Sequence, residues 1–146
     1  MKLEMMDKPS VVQLFGFSKT HAADKSYSED VMELIGQVWR EVHEHRLSTT
    51  GINYVAYEDG DVLFAGVELA AEPDRPTSLM KKRFSFSRYA RFIHIGPYSG
   101  LDEAHSSIRA ALQASGHRYC QPTMEIYGHW NEDSAKNETE IRYTLV

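Results

Sequence analysis

Four side chains near the C-terminus, Glu125, Tyr127, Glu140 and Arg142, stand in runs whose other positions are apolar, PTMEIYGHW and TEIRYTL. Each run reads as a strand, Met124 to His129 and Thr139 to Leu145, joined by a polar loop. Alternation puts Met124 and Ile126 on one face of the first strand and Glu125, Tyr127 and His129 on the other. In the second it separates Ile141, Tyr143 and Leu145 from Glu140, Arg142 and Thr144. With the apolar sets packed on helices, Glu125, Tyr127, Glu140 and Arg142 are expected to look away from them, toward water or a bound molecule. A carboxylate held among apolar neighbours costs several kcal/mol unless it is paired, and a tyrosine face beside it offers cation–π contact of ~0.5–2 kcal/mol. The chemistry suggested is either recognition of a bound molecule, with Glu125 giving charge or a hydrogen bond, or a carboxylate that simply faces solvent on an open sheet. Glu140 is either a second acid for such a ligand or the structural partner of Arg142.

The rest of the chain must position that pair of strands. Ser10 to Phe17 reads as a strand rich in β-branched and aromatic residues. Ser26 or Ser28 caps a helix, with Glu29 and Asp30 in its first turn and Val31, Leu34, Ile35, Val38, Trp39 and Val42 as an apolar stripe. Strands follow over Ile52 to Tyr57 and Val62 to Leu69, turned by Glu58-Asp59-Gly60-Asp61. Ala70 to Ser78 is polar, holds two prolines and reads as a linker. Phe84 to Ile95 reads as one strand, with a break near Ser87 left open. A turn from Gly96 to Gly100 leads into a second helix carrying Leu101, Ala104, Ile108, Ala111 and Leu112, ended by Gly116.

The order strand, helix, strand, strand thus occurs twice. The fold class expected is α+β, a single domain over 1–146: repeat 1 about 8–70, a linker about 71–79, and repeat 2 about 80–146. The duplicated β-α-β-β units are related by a pseudo-twofold axis, with two helices on one face of an antiparallel sheet and a groove at the seam on the other. In the first unit Val55, Leu63, Ala65, Val67 and Leu69 should face the helices, leaving Tyr54 and Phe64 for the groove. Aligning the hairpins sets Tyr54 against Glu125 and Phe64 against Glu140. A shift of one residue would reverse both tyrosine and phenylalanine. Trp39 either belongs to the helix stripe or reaches the groove floor. Tyr98, after Gly-Pro at the helix start, is a wall residue or local packing, and His129 and Trp130 beside the loop either close over a ligand or lie exposed.

Composition removes other functions. The 146 residues are 42% hydrophobic and 25% charged, as in an ordinary soluble domain, and the net charge of −5 offers no basic surface for phosphate backbones. No apolar run approaches the ~20 residues of a membrane helix, the single Cys120 cannot form an internal disulfide, and the N-terminus lacks a secretory leader. A cytoplasmic protein is expected, with no metal and no cofactor. His43 and His45 point to different faces of a helix, a site pairing His117 with Cys120 lacks further ligands, and no phosphate loop, dinucleotide fingerprint or nucleophile elbow occurs.

The second half, YARFIHIGPYSGLDEAHSSIRAALQASG followed by PTMEIYGHW and TEIRYTL, resembles the GyrI-like small-molecule-binding family, which includes the effector-binding domains of AraC-type and multidrug-sensing regulators. The matching features are His94-x-Gly96-Pro97-Tyr98, Glu125-Ile126-Tyr127 and Thr139-Glu140-Ile141. The first half is similar more loosely, most of all to stand-alone integron-associated effector-binding proteins. The resemblance implies a duplicated fold whose central groove takes amphipathic, often cationic organic molecules between aromatic rings and a buried carboxylate at the position of Glu125. Arg142 stands where relatives often carry an aromatic residue, so it either neutralises Glu125 or Glu140 or redirects preference toward neutral or anionic ligands. The leading expectation is a stand-alone effector- or drug-binding protein, unable to regulate transcription by itself and contacting no nucleic acid or membrane directly. Some relatives imply a hydrolase of strained electrophiles using Glu125 as general base, and others an inhibitory protein-interaction module.

Overall fold

The computed structural model describes residues 1–146. Eight strands, β1 (Glu4–Met6), β2 (Ser10–Thr20), β3 (Asn53–Glu58), β4 (Val62–Val67), β5 (Met80–Phe86), β6 (Tyr89–Ile95), β7 (Tyr119–Tyr127) and β8 (Glu138–Leu145), form one antiparallel sheet. Helix α1 (Tyr27–Glu44) follows β2, and α2 (Leu101–Ala114) follows β6 after a 3₁₀ turn over Tyr98–Gly100. The strand order is β1-β6-β8-β7-β3-β4-β2-β5, which reads the same way from either end once each strand is matched to its counterpart in the other half. The duplicated α+β architecture is therefore present, with the pseudo-twofold axis between β3 and β7. Each half also has an outermost strand, β1 or β5, that pairs with the other half. The three-residue β1 carries too little periodicity to be read from sequence.

Both helices form for the reasons the stripe gives. Ser26 accepts the Glu29 amide proton at 3.1 Å and closes the N-terminus of α1, while Val31, Leu34, Val38 and Val42 are buried. On α2 the buried set is Leu101, Ala104, Ile108 and Leu112. Just beyond the helices, Arg46 and Gly116 take positive φ values of 53° and 76°, the left-handed turn that ends a helix. The α1 stripe packs on Val55, Leu63, Ala65 and Val67, and the α2 stripe on Ala90, Ile141, Tyr143 and Leu145. Val55 pairs with Glu125 and Glu125 with Ile141, and side chains directly opposite in a ladder share a face. Both helices therefore lie on one face of the sheet.

The run from Phe84 to Ile95, read as a strand with a break near Ser87 left open, is two strands, β5 and β6, parted by Ser87 and Arg88. They are consecutive in the chain, yet five strands lie between them in the sheet. The sheet must curl until its ends meet. Phe86 and Tyr89, which a continuous strand would send to opposite faces, instead bring their rings to 5.5 Å. The face away from the helices thus closes around Val12, Leu14, Tyr54, Ala56, Phe64, Phe84, Phe86, Tyr89 and Met124.

Candidate functional site

On the helix side, Glu125 is 3% exposed. Its Oε1 accepts from the Tyr57 hydroxyl at 2.9 Å and the Tyr127 hydroxyl at 2.8 Å. Its Oε2 lies 2.7 Å from His105 Nε2. Nδ1 of the same imidazole is 2.7 Å from the Tyr143 hydroxyl, which also accepts from Arg109 Nη1 at 3.1 Å. The donors have a consistent direction. Arg109 can only donate, so the Tyr143 oxygen accepts from it; the Tyr143 hydroxyl is then able to give its own proton to Nδ1, which leaves Nε2–H to donate to the carboxylate. The chain Arg109, Tyr143, His105, Glu125 leaves none of its members without a hydrogen-bond partner.

Local structure explains how these residues meet. Tyr57 lies two residues along β3 from Val55, the ladder partner of Glu125, so its ring falls on the diagonal. Tyr127 stands two residues along β7 on the same face. His105 is four residues after Leu101 and three before Ile108, at the edge of the buried stripe where α2 crosses the strands. Burial, and after it the charge of Glu125, pushes the Tyr57 and Tyr127 phenols well above the ordinary tyrosine range. Burial also raises Tyr143, against the opposing pull of Arg109. All three phenols remain protonated donors.

The carboxylate opens on a cavity of about 510 Å³ between the helices, with Tyr57, Leu63, Thr123 and Tyr143 along its floor, Tyr27 of α1 on one side, and Asp102, His105 and Arg109 of α2 on the other. Tyr27 is held by a 2.8 Å hydrogen bond to Asp61 and by the His21 ring stacked on it at 3.8 Å. Tyr119 meets Tyr143 edge-on at 5.2 Å.

The expectation that Glu125 and Tyr127 look away from the helices, together with Glu140 and Arg142, is corrected. In the β7–β8 ladder Glu125 pairs with Ile141, and Met124 with Arg142, one residue out of step with the expected sharing of faces. Glu140, Arg142, Tyr54 and Phe64 lie inside the curled sheet and line no part of the cavity. There Arg142 binds Glu140 at 2.5 Å and Ser10 at 3.0 Å and covers the Tyr89 ring at 4.8 Å, so it does not neutralise Glu125. Tyr54 gives its hydroxyl to Glu68 at 2.5 Å, and Phe64 is fully buried. The pairing of Tyr54 with Glu125 moves by one residue, to Val55.

Trp39 packs beside the α1 stripe and donates to Asn53 at 2.7 Å, outside the cavity. Tyr98 meets Tyr127 edge-on at 5.4 Å, supporting the ring that holds the carboxylate from outside the cavity. His129 is exposed with its ring beside Gly51, and Trp130 is 72% exposed. The residues missed from sequence are Tyr57, His105, Tyr143 and Arg109. Tyr57 was legible by alternation from Val55, and His105 and Arg109 by helical spacing from Leu101.

No protein-family model matches the sequence, and no curated protein does. Solved structures do. SAV2435 bound to tetraphenylphosphonium superposes with a TM-score of 0.69 at 14% identity over 100% of this chain and 94% of its own. The regulator EcmrR, in complex with DNA, gives 0.69 at 19% identity over 99% of this chain, which spans 56% of that regulator's length. An integron cassette protein of Vibrio cholerae, VCH_CASS2, gives 0.59 at 16% identity over 99% and 95%. The architecture shared with them is the GyrI-like fold. No helix is long and apolar enough to cross a membrane.

Proposed function

We propose that this chain, a GyrI-like fold, holds an aromatic cationic small molecule in the cavity between its two helices. The observation that carries the reading is Glu125, a buried carboxylate on a cavity of about 510 Å³ whose hydrogen-bond partners are the Tyr57 and Tyr127 hydroxyls and the His105 imidazole, with no lysine or arginine among them. No lysine or arginine neutralises it, so its charge is left for a ligand. A cation entering there gains a counter-charge in low dielectric, where such pairs are far stronger than in water. The rings of Tyr27, Tyr57, Tyr119 and Tyr143 supply the apolar and quadrupolar walls. Three of the carboxylate's roughly four acceptor positions are filled by fixed donors, which holds it in place before the ligand arrives. That SAV2435 holds tetraphenylphosphonium on the same scaffold supports the ligand class. The role that follows is sequestration of such compounds, or signalling them to a regulator.

Thermal shift with tetraphenylphosphonium is the direct test. Ligand at a hundred times its dissociation constant adds about 2.7 kcal/mol of stability, and Glu125→Gln should lower affinity at least about thirtyfold, ~2 kcal/mol. An unchanged affinity in Glu125→Gln would remove the carboxylate from the site. Recovering the ligand intact after long incubation would hold the function to binding. A hydrolysed product would make Glu125 and His105 a catalytic pair.

A further inference from the structure

A second recess adjoins the first. It has a volume of about 800 Å³ and shares Ser106, Arg109 and Tyr119 with the carboxylate cavity. The two differ in charge. The first is lined by Glu58, Asp61, Asp102 and Glu125, whereas the second has no acidic residue and carries Arg109, Arg118 and His117 with the Gln113 amide. In a protein of net charge −5, a surface recess with cations and no acid is a departure from the average. The arginines that form ion pairs are Arg88, Arg91 and Arg142, and neither Arg109 nor Arg118 is among them. Arg109 is nonetheless held in place, through Nη1 to the Tyr143 hydroxyl at 3.1 Å and Nη2 to Ser106 Oγ at 3.3 Å. Its guanidinium has five donor hydrogens, and those two contacts leave the others free at the junction of the recesses.

We infer that the second recess binds an anionic group of the same ligand, so that the preferred compound is an aromatic cation bearing a carboxylate. The inference rests on the proposed cation site and deepens it. Glu125 takes the cationic ring system, and Arg109 with Arg118 takes the carboxylate, as guanidinium groups do in paired hydrogen bonds. His117 and Gln113 add donors at the edge. The arrangement selects against a cation of the same shape that lacks the acid, because such a ligand leaves Arg109 facing an uncharged group.

Rhodamine B and its ethyl ester make the comparison, since they share one cationic chromophore and differ in whether the carboxylate is free. By fluorescence titration at low ionic strength the free acid should bind about five- to tenfold more tightly than the ester. That ratio should fall toward one in Arg109→Gln, in Arg118→Gln, and for the wild type in ~1 M salt, where the screening length drops to ~3 Å. If the ester binds in a Glu125-dependent way and the acid binds no better, the second recess takes no anion and the cation site stands alone. A preference for the acid that survives both arginine substitutions also overturns the inference. If neither dye binds, the cation site fails with it.

Discussion

The two halves of the molecule are one scaffold with two contents. A shift of 70 residues carries the α1 stripe onto the α2 stripe, Val31 to Leu101, Leu34 to Ala104, Val38 to Ile108 and Val42 to Leu112, and also carries the helix-ending Arg46 onto Gly116. The same shift places Val55 on Glu125, its ladder partner across the axis between β3 and β7, and Tyr57 on Tyr127, which stand opposite Thr123 and Asn53 in that ladder. Around Glu125 the contents of the two halves differ. Ile35 becomes His105, Trp39 becomes Arg109 and Val55 becomes Glu125. The first half fills its share of the helix–sheet space with hydrocarbon and an indole, and the second fills the equivalent space with a linked acid, imidazole and guanidinium. The symmetric pair that remains, Tyr57 and Tyr127, is turned onto the single carboxylate. A polar site on one side of the axis is thus built with donors from both sides, and the apolar half provides the packing that holds them.

That division can be broken at equivalent core positions. Ile108 on α2 and Val38 on α1 are nearly inaccessible. Ile108→Ala should cost ~2–5 kcal/mol of stability by the lost transfer energy and the cavity left behind, measured by urea denaturation. Because α2 carries His105 and Arg109, this variant should also lose ligand affinity at temperatures where it is still folded. Val38→Ala should destabilise less, having a smaller side chain to lose, and leave affinity as it was. Equal losses of affinity in both would mean that the site is not borne by the second half.

A smaller effect sharpens the comparison at the axis. Tyr57→Phe and Tyr127→Phe each remove one hydroxyl from Glu125 Oε1, and hydrogen bonds to a charged group contribute ~1.5–3 kcal/mol. Since the two donors are related by the pseudo-twofold axis and stand at 2.9 and 2.8 Å, the two variants should lose similar stability. The double variant should lose more than the sum, because the carboxylate then retains only His105. A large inequality between the single variants would show that symmetry of position is not symmetry of contribution.

Much of this was open to reading in the sequence. The helix stripes, a cap at Ser26 or Ser28 and the Gly116 stop follow from spacing and backbone preference, and the duplicated order of elements follows from them. What failed was the relation between strands. Alternation within β7 and within β8 was read correctly, but which side chains of one strand share a face with those of the next depends on the ladder, which pairs Glu125 with Ile141 and not with Arg142. One residue of register therefore sent Glu125 to the wrong side. The turn at Ser87 and Arg88 was legible only as a break left open near Ser87, since the polar pair interrupts an apolar run without glycine or proline to mark a bend. His105 was missed because a histidine at the edge of an apolar stripe resembles ordinary packing until its partners across the sheet are known. Shifting the α1 stripe by 70 residues would have drawn attention to it, because the substitution Ile35 to His105 breaks an otherwise apolar match.

The subtlest asymmetry lies at the helix N-termini. The same shift carries Asp30 onto Gly100. Asp30 is fully inaccessible and accepts from Lys19 Nζ at 2.7 Å and the Ala22 amide at 3.0 Å, with His21 Nδ1 at 2.7 Å, whereas α2 has no side-chain cap. Lys19 first, then the Ala22 amide and His21, hold the Asp30 carboxyl well below the usual carboxylate range. A carboxyl depressed in the folded state contributes stability that is fully present above its unfolded value of about 3.9, and that is lost as pH falls through the folded value. Asp30→Asn should therefore lower the unfolding midpoint at neutral pH, and the gap from wild type should narrow as pH drops below ~4. His21, one of the Asp30 partners, is stacked on Tyr27 at the cavity wall. The same variant should thus loosen that wall and weaken ligand binding slightly at neutral pH. A gap in midpoint that stays constant down to pH ~2 would mean that the Asp30 contacts act through shape alone.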